Sequence, residues 1–174
     1  MKRVLLLRHA KSAWADAEIA DHERPLNRRG ERAAEAMASH IVARELRPDL
    51  ILCSTAIRAR QTLAPLLQQL SSPAPPVSLE RGLYLASEEA LLTRLRAVPD
   101  DIAAVMLIGH NDGLWRLAAA LAGHGRPSLL RAVREKFPTG ALAVFRAPTS
   151  RWANIAPGSA TLVAFVRPRE VMTS

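Results

Sequence analysis

The sequence predicts an α/β protein, a three-layer α/β/α sandwich around a mainly parallel sheet. Three observations point there. Continuous apolar runs at residues 4–7, 50–53 and 104–108 have the pattern of strands buried on both faces. Between them lie stretches whose apolar residues recur at helical spacing. The two kinds alternate along the chain, which is the order that builds a parallel sheet with helices on both faces.

The first run, Val4-Leu5-Leu6-Leu7, ends at Arg8, and a polar stretch from His9 to Arg24 follows with Trp14 its only large aromatic. Asn27 is the N-cap expected for a helix with apolar positions at Ala33, Ala36, Met37, Ile41 and Leu46, and Pro48 ends it. Residues 50–53 read as a second strand closing at Ser54-Thr55, and residues 57–70 as a helix presenting Leu63, Leu66, Leu67 and Leu70. The serine- and proline-rich stretch 71–76 is a loop, too short for an interdomain linker. Residues 77–79 form a short strand, and 88–98 a helix carrying Leu91, Leu92, Leu95 and Val98. The third strong strand, 104–108, runs directly into Gly109-His110-Asn111-Asp112, and the helix over 113–122 stops at Gly123. Two further strands are expected over 141–145 and 161–166. With no internal repeat, residues 1–174 read as one domain.

Composition narrows the class. Hydrophobic residues at 49% and charged residues at 23% describe an ordinary globular chain rather than a disordered one. No apolar run approaches the roughly 20 residues of a membrane span, so no membrane partner is expected. Only four apolar residues follow Met1-Lys2-Arg3 before Arg8, too few for a signal-peptide core. The single cysteine, Cys53, excludes an internal disulfide and fits a reducing compartment, and the expected location is cytoplasmic. A net charge of +8 implies an anionic partner or substrate. The arginines, however, are scattered from Arg3 to Arg169, and aromatics are only 4%, so a nucleic-acid partner is not expected. Oligomeric state is left open, with a monomer allowed.

In open α/β sheets, ligands lie beyond the carboxyl ends of the strands. Arg8-His9 follows the first strand, Ser54 to Arg58 the second, and His110 the third, so three polar constellations converge on one edge. Two histidines and two arginines there suit phosphoryl transfer. A neutral imidazole can attack phosphorus to give a covalent phosphohistidine, which water then hydrolyses. Guanidinium forks match phosphate oxygens and stabilise the charge that spreads over them. With arginines supplying that charge, neither a metal nor another cofactor is required.

These residues also carry a resemblance. Leu7-Arg8-His9-Ala10 resembles the Arg-His-Gly/Ala signature of the histidine phosphatase superfamily, which includes the phosphoglycerate mutases. Residues 54–62, Ser-Thr-Ala-Ile-Arg-Ala-Arg-Gln-Thr, resemble its second motif, with the motif arginine at Arg58, and Gly109-His110-Asn111 resembles its third. Arg24-Pro25-Leu26-Asn27, Leu83-Tyr84 and Phe137-Pro138-Thr139-Gly140-Ala141 are similar to the phosphohistidine phosphatases of the SixA type. The resemblance implies a phosphoglycerate mutase-like fold, His9 as nucleophile, and Arg8, Arg58 and His110 as phosphoryl-binding catalytic residues. Arg24 and Asn111 are the further substrate-binding candidates. Ala10 stands where glycine is commoner in the family, a change that the small phosphohistidine branch tolerates.

The proton donor is not assigned: Glu80 and Asp112 are the carboxylates near the family's expected positions, and neither is in register. Asp112 reads better as a helix cap. A phosphoramidate needs a side-chain acid less than an ester does, so a missing acid favours phosphohistidine as substrate. The implied partner is then a phosphohistidine-bearing signalling or phosphotransfer protein. The competing readings are a small-molecule phosphoester phosphatase of the same superfamily and a catalytically weak phosphate or nucleic-acid binder. A mutase is disfavoured by the short chain. His22, His40 and His124 lack partners at metal-ligand spacing and read as surface or loop residues. Cys53 reads as packing, Arg28, Arg29 and Arg32 as a solvated helix start, and Trp14 either as a lip of the site or as a cover on the core.

Overall fold

The buried apolar runs become the centre of one seven-stranded sheet. The computed structural model describes residues 1–14 and 16–172. Its elements are β1 (Lys2–Arg8), α1 (Arg28–Ala43), β2 (Leu50–Ser54), α2 (Ile57–Gln69), β3 (Val77–Glu80) and α3 (Glu88–Arg96). There follow β4 (Ala104–Gly109), α4 (Gly113–Leu121), β5 (Ala122–Gly125), α5 (Pro127–Glu135), β6 (Leu142–Ala147), β7 (Ala160–Val166) and the short turn α6 (Pro168–Val171). The strand order is β3-β2-β4-β1-β6-β7-β5, parallel except that β6 runs antiparallel to both β1 and β7.

Alternation along each strand divides the core. Leu5, Leu7, Ile51, Cys53, Met106 and Ile108 pack under α1 and α2, with Met37, Ile41, Leu63 and Leu66. Val4, Leu6, Leu52, Val105 and Leu107 face the other way, toward Leu91, Leu95, Leu114, Leu117 and Val133 of α3, α4 and α5. Each fully buried side chain of this kind contributes about 1.5–3 kcal/mol, so the central strands hold the sheet edge rigidly in place. Among the described residues no helix is long and apolar enough to cross a membrane.

Two local features position the site. Parallel pairing of β1 with β4 sets Leu7 against Ile108 and Arg8 against Gly109, so His9 and His110 leave the sheet side by side. Asn27 caps α1 as expected, accepting from the Gly30 amide at 2.8 Å. A Cβ at Gly30 would lie 2.0 Å from the Lys11 carbonyl oxygen, so only glycine lets α1 seat against the segment that follows His9.

Some expectations need correction. Helix α1 ends at Ala43 rather than at Pro48, because Glu45 turns to a φ of 56° and the Leu46 amide closes onto the Ile41 carbonyl at 3.0 Å. Asp112 holds the N-cap position of α4, but its side chain makes no capping bond. Helix α4 stops at Leu121, and the chain continues as edge strand β5 against β7. Gly123 there faces backbone, since a Cβ would stand 2.0 Å from the Gly158 carbonyl oxygen. Helix α5, entered through Pro127 in its first turn, falls in a stretch that the sequence reading leaves unassigned.

Candidate active site

His9 is fixed by backbone on both sides. Its amide donates to Gly109 at 3.1 Å, its carbonyl accepts from Gly140 at 2.9 Å, and the next amide, Ala10, donates to Thr62 Oγ1 at 2.9 Å. The Thr62 hydroxyl in turn donates to the Arg58 carbonyl at 2.7 Å, which ties α2 to the histidine loop. The ring is 6% exposed, and Nδ1 lies 2.7 Å from the Ala10 carbonyl. A carbonyl oxygen can only accept, so Nδ1 carries the hydrogen and Nε2 keeps an open lone pair. Burial pushes the imidazolium down to about 3, with His110, Arg8 and Arg58 adding to the effect and the Ala10 bond opposing it. His9 is therefore neutral at any ordinary pH.

His110 is buried beside it, with ring centroids 5.1 Å apart, and its Nε2 meets Ser54 Oγ at 2.7 Å. Burial first, and Arg58 next, push its pKa down to about 4. Arg58 is 2% exposed, and half-buried Arg8 donates through Nη1 to the Phe137 carbonyl at 3.0 Å. Burial and the neighbouring Arg58 lower the Arg8 pKa, opposed by Asp112. Two guanidinium groups pressed together this way are stabilised by an anion.

Among the described residues, the buried side-chain polar atoms without a partner are Arg8 Nε, Arg58 Nε, His110 Nδ1 and Asn111 Oδ1. All four belong to residues lining one cavity of about 560 Å³, shared with His9, Arg24 and Asp21. Buried polar atoms without partners are costly unless a ligand completes them, and the two arginine Nε atoms among these can only donate. Such a site can hold a tetrahedral oxyanion against an open imidazole nitrogen, the arrangement that in-line attack on phosphorus needs.

The structure thus brings Arg8, His9, Arg58 and His110 together, with Asn111 and Arg24 beside them. Asn111 donates to the Phe137 carbonyl at 3.0 Å. Arg24 lines the cavity, but its guanidinium is engaged by Asp21 Oδ1 (2.7 Å), Ser12 Oγ (2.7 Å) and the Ala13 carbonyl (2.9 Å). Trp14, 94% exposed, lines the cavity and covers no core. His22 is more than a loop residue: half-buried, it meets Thr55 Oγ1 at 2.8 Å and sets its ring edge-on to Tyr84. Cys53 is inert packing, its thiol pushed up to about 12 by burial. Among the described residues no group of three or more His, Cys, Asp or Glu could hold a metal ion.

Neither carboxylate weighed as proton donor lines the cavity. Glu80 is held ionised by two hydrogen bonds from Arg94, at 2.7 and 2.9 Å, with a further one from Ser78. The carboxylate that does enter is Asp21, which sequence reasoning missed. It accepts from the Tyr84 hydroxyl, from Arg24 and from Arg58 Nη2 at 3.0 Å, while Arg58 Nη1 donates to its backbone carbonyl at 2.7 Å. Those bonds, Tyr84 first, hold its carboxyl well below the usual range. The available signal was its place three residues before Arg24, the spacing of an ion pair within one turn.

Comparison with known proteins agrees with this geometry. The model of the histidine phosphatase superfamily (branch 1) matches residues 4–84, which include Arg8-His9 and the stretch through Arg58. A solved structure of SixA from Agrobacterium tumefaciens is 34% identical, superposes with a TM-score of 0.80, and covers 96% of this chain and 98% of its own. The chain belongs to the histidine phosphatase superfamily. Within the superfamily it is of the SixA type: SixA from Nakamurella multipartitia is 30% identical, with a TM-score of 0.79 and 96% of both chains covered. An uncharacterised Mycobacterium tuberculosis protein is 41% identical over 165 residues, 94% of this chain and 100% of its own. As a member of this superfamily the chain is a phosphatase, with the phosphoglycerate mutase-like sheet.

Proposed function

We propose that this phosphatase is specific for phosphohistidine in a partner protein and works without a metal through a covalent phospho-His9. The observation that carries the substrate assignment is the bonding of Asp21, which accepts from Tyr84, Arg24 and Arg58; these bonds favour its anion, so among the described residues the cavity lining offers no carboxylic acid to a leaving group. An alkyl phosphate must gain a proton on the bridging oxygen as the bond to phosphorus breaks. A phosphohistidine need not. Its bond electrons pass to a ring nitrogen, and a proton already on the other ring nitrogen makes the leaving group a neutral imidazole.

In the first step the open Nε2 of His9 attacks phosphorus and the substrate imidazole departs. Arg8, Arg58 and His110 bind the transferring group and stabilise its charge, and Asn111 extends the same wall. In the second step water attacks phosphorus, and His9 leaves as a neutral ring because the Ala10 carbonyl has kept its Nδ1 protonated. The proton from water passes to the phosphate. Arg24 acts by positioning Asp21, and Asp21 by holding Arg58 ready. The A. tumefaciens and N. multipartitia SixA structures carry phosphohistidine phosphatase as a provisional name, which supports the same substrate.

The test compares a phosphohistidine peptide with a phosphoserine peptide of the same sequence. Wild type is expected to prefer phosphohistidine by at least about a hundredfold in kcat/KM, the usual worth of general acid catalysis that only the ester requires. Equal or faster turnover of the ester would contradict the assignment.

A further inference from the structure

A second cavity of about 610 Å³ adjoins the catalytic one, and Lys11 and Thr139 line both. Its rim carries Lys11, Arg29, Lys136, Arg167 and Arg169, and among the described residues Glu135 is the one lining carboxylate. Arg167 is paired with Glu170, whereas Lys11, Arg29 and Lys136 make no ion pair among the described residues. The floor between these cations is apolar, built from Ala33, Ala132, Pro138 and Pro168.

The wall between the two cavities is firmly built. The Gly140 amide donates to the Arg8 and His9 carbonyls at 3.1 and 2.9 Å, and its φ of +78° lets it pass close to Pro168, whose Cγ would stand 2.7 Å from a Cβ. On the other side, the Lys11 carbonyl accepts from the Asn27 amide at 3.0 Å. A substrate chain leaving His9 over Thr139 therefore enters a groove of fixed shape and positive charge.

Resting on the phosphohistidine reading, we propose that this groove binds an acidic segment of the substrate protein, next to its phosphorylated histidine. The chemistry favours carboxylates on a peptide over a second compact phosphate. A compact phosphate is held by buried, converging donors, as in the His9 cavity, whereas Lys11, Arg29 and Lys136 are exposed and come from separate parts of the chain. Glutamate and aspartate side chains can rest their stems on the apolar floor and reach those cations. Among the described residues no aromatic side chain lines the groove, so they build no stacking platform of the kind a single-stranded nucleic-acid site uses.

The experiment uses two phosphohistidine peptides, identical except that the flanking residues are glutamates in one and glutamines in the other. Wild type is expected to prefer the glutamate peptide by about tenfold in kcat/KM at low salt, with the preference fading as salt screens it. The double variant Arg29→Glu/Lys136→Glu, at exposed positions that line only the groove, should lose that preference. It should hydrolyse free phosphohistidine within about twofold of wild type. Equal turnover of both peptides by wild type would overturn the groove assignment, as would a double variant that keeps the preference.

Binding of the unphosphorylated glutamate peptide, read by fluorescence anisotropy, separates this assignment from the catalytic one. If no phosphohistidine is hydrolysed, the substrate reading fails. Salt-sensitive binding weakened in the double variant would still support the groove. No binding, or equally strong binding of a single-stranded oligonucleotide of matched charge, would overturn it.

Discussion

The two halves of the His9 cavity are built differently. One half is the end of the sheet, where His9, Arg58 and His110 are 6%, 2% and 2% exposed and hang from strands or helices packed on both faces. The other half is Trp14 together with the segment 16–24, where the Asp21 side chain is 45% exposed and Trp14 94%. That segment is held by the bridge between Ser12 and Leu26 and by Arg24 bonds to Ser12 and Ala13. The rigid half presents fixed cations and a neutral imidazole. The exposed half brings a carboxylate that occupies one of those cations, and an incoming phosphoryl group must compete with it for Arg58.

The largest effect that tests this division comes from the rigid half. Arg58→Ala should lower kcat by about a hundredfold or more, as loss of one preorganised donor to a developing oxyanion does. Steady-state kinetics would check it, and a change confined to KM would mean that Arg58 binds substrate without stabilising the transition state. A smaller effect, of opposite sign on binding, is expected from the exposed half. Asp21→Asn removes the competing anion, so inorganic phosphate should inhibit several-fold more tightly. Weaker inhibition would instead make Asp21 purely a holder of Arg58.

A separate effect, read by melting rather than by turnover, is on stability against pH. His9 and His110 stay neutral in the fold down to about 3 and about 4, whereas unfolded histidine titrates at about 6.5. Between these values the unfolded chain binds more protons, so stability is full above about pH 6.5 and falls as the pH drops toward 4. Thermal melts of wild type and His9→Gln across this window should converge as the pH falls. A constant gap would mean that His9 is not buried neutral.

The legible parts of the site are those where chemistry sits directly on a strong strand. Arg8-His9 and His110 adjoin four- and five-residue apolar runs, so the order of residues alone places them at the sheet edge. Strand β5 is not legible in that way, because Ala-Gly-His-Gly has no apolar alternation and pairs only along the sheet margin. Asp21 escapes for a different reason: its place at the site depends on a loop folding back through side-chain bonds, which no periodicity encodes. The same holds for the basic groove. Lys11, Arg29, Lys136 and Arg167 look scattered along the chain and meet only in the fold.

The central claim is the covalent step at His9. Wild type would be mixed with a substrate carrying radiolabelled phosphohistidine, quenched in alkali within the first turnover, and digested to locate the label. The account predicts an acid-labile, alkali-stable phosphate on His9, present in wild type and absent in His9→Ala, which should also lose turnover. A label on His110, or undiminished turnover by His9→Ala, would contradict it.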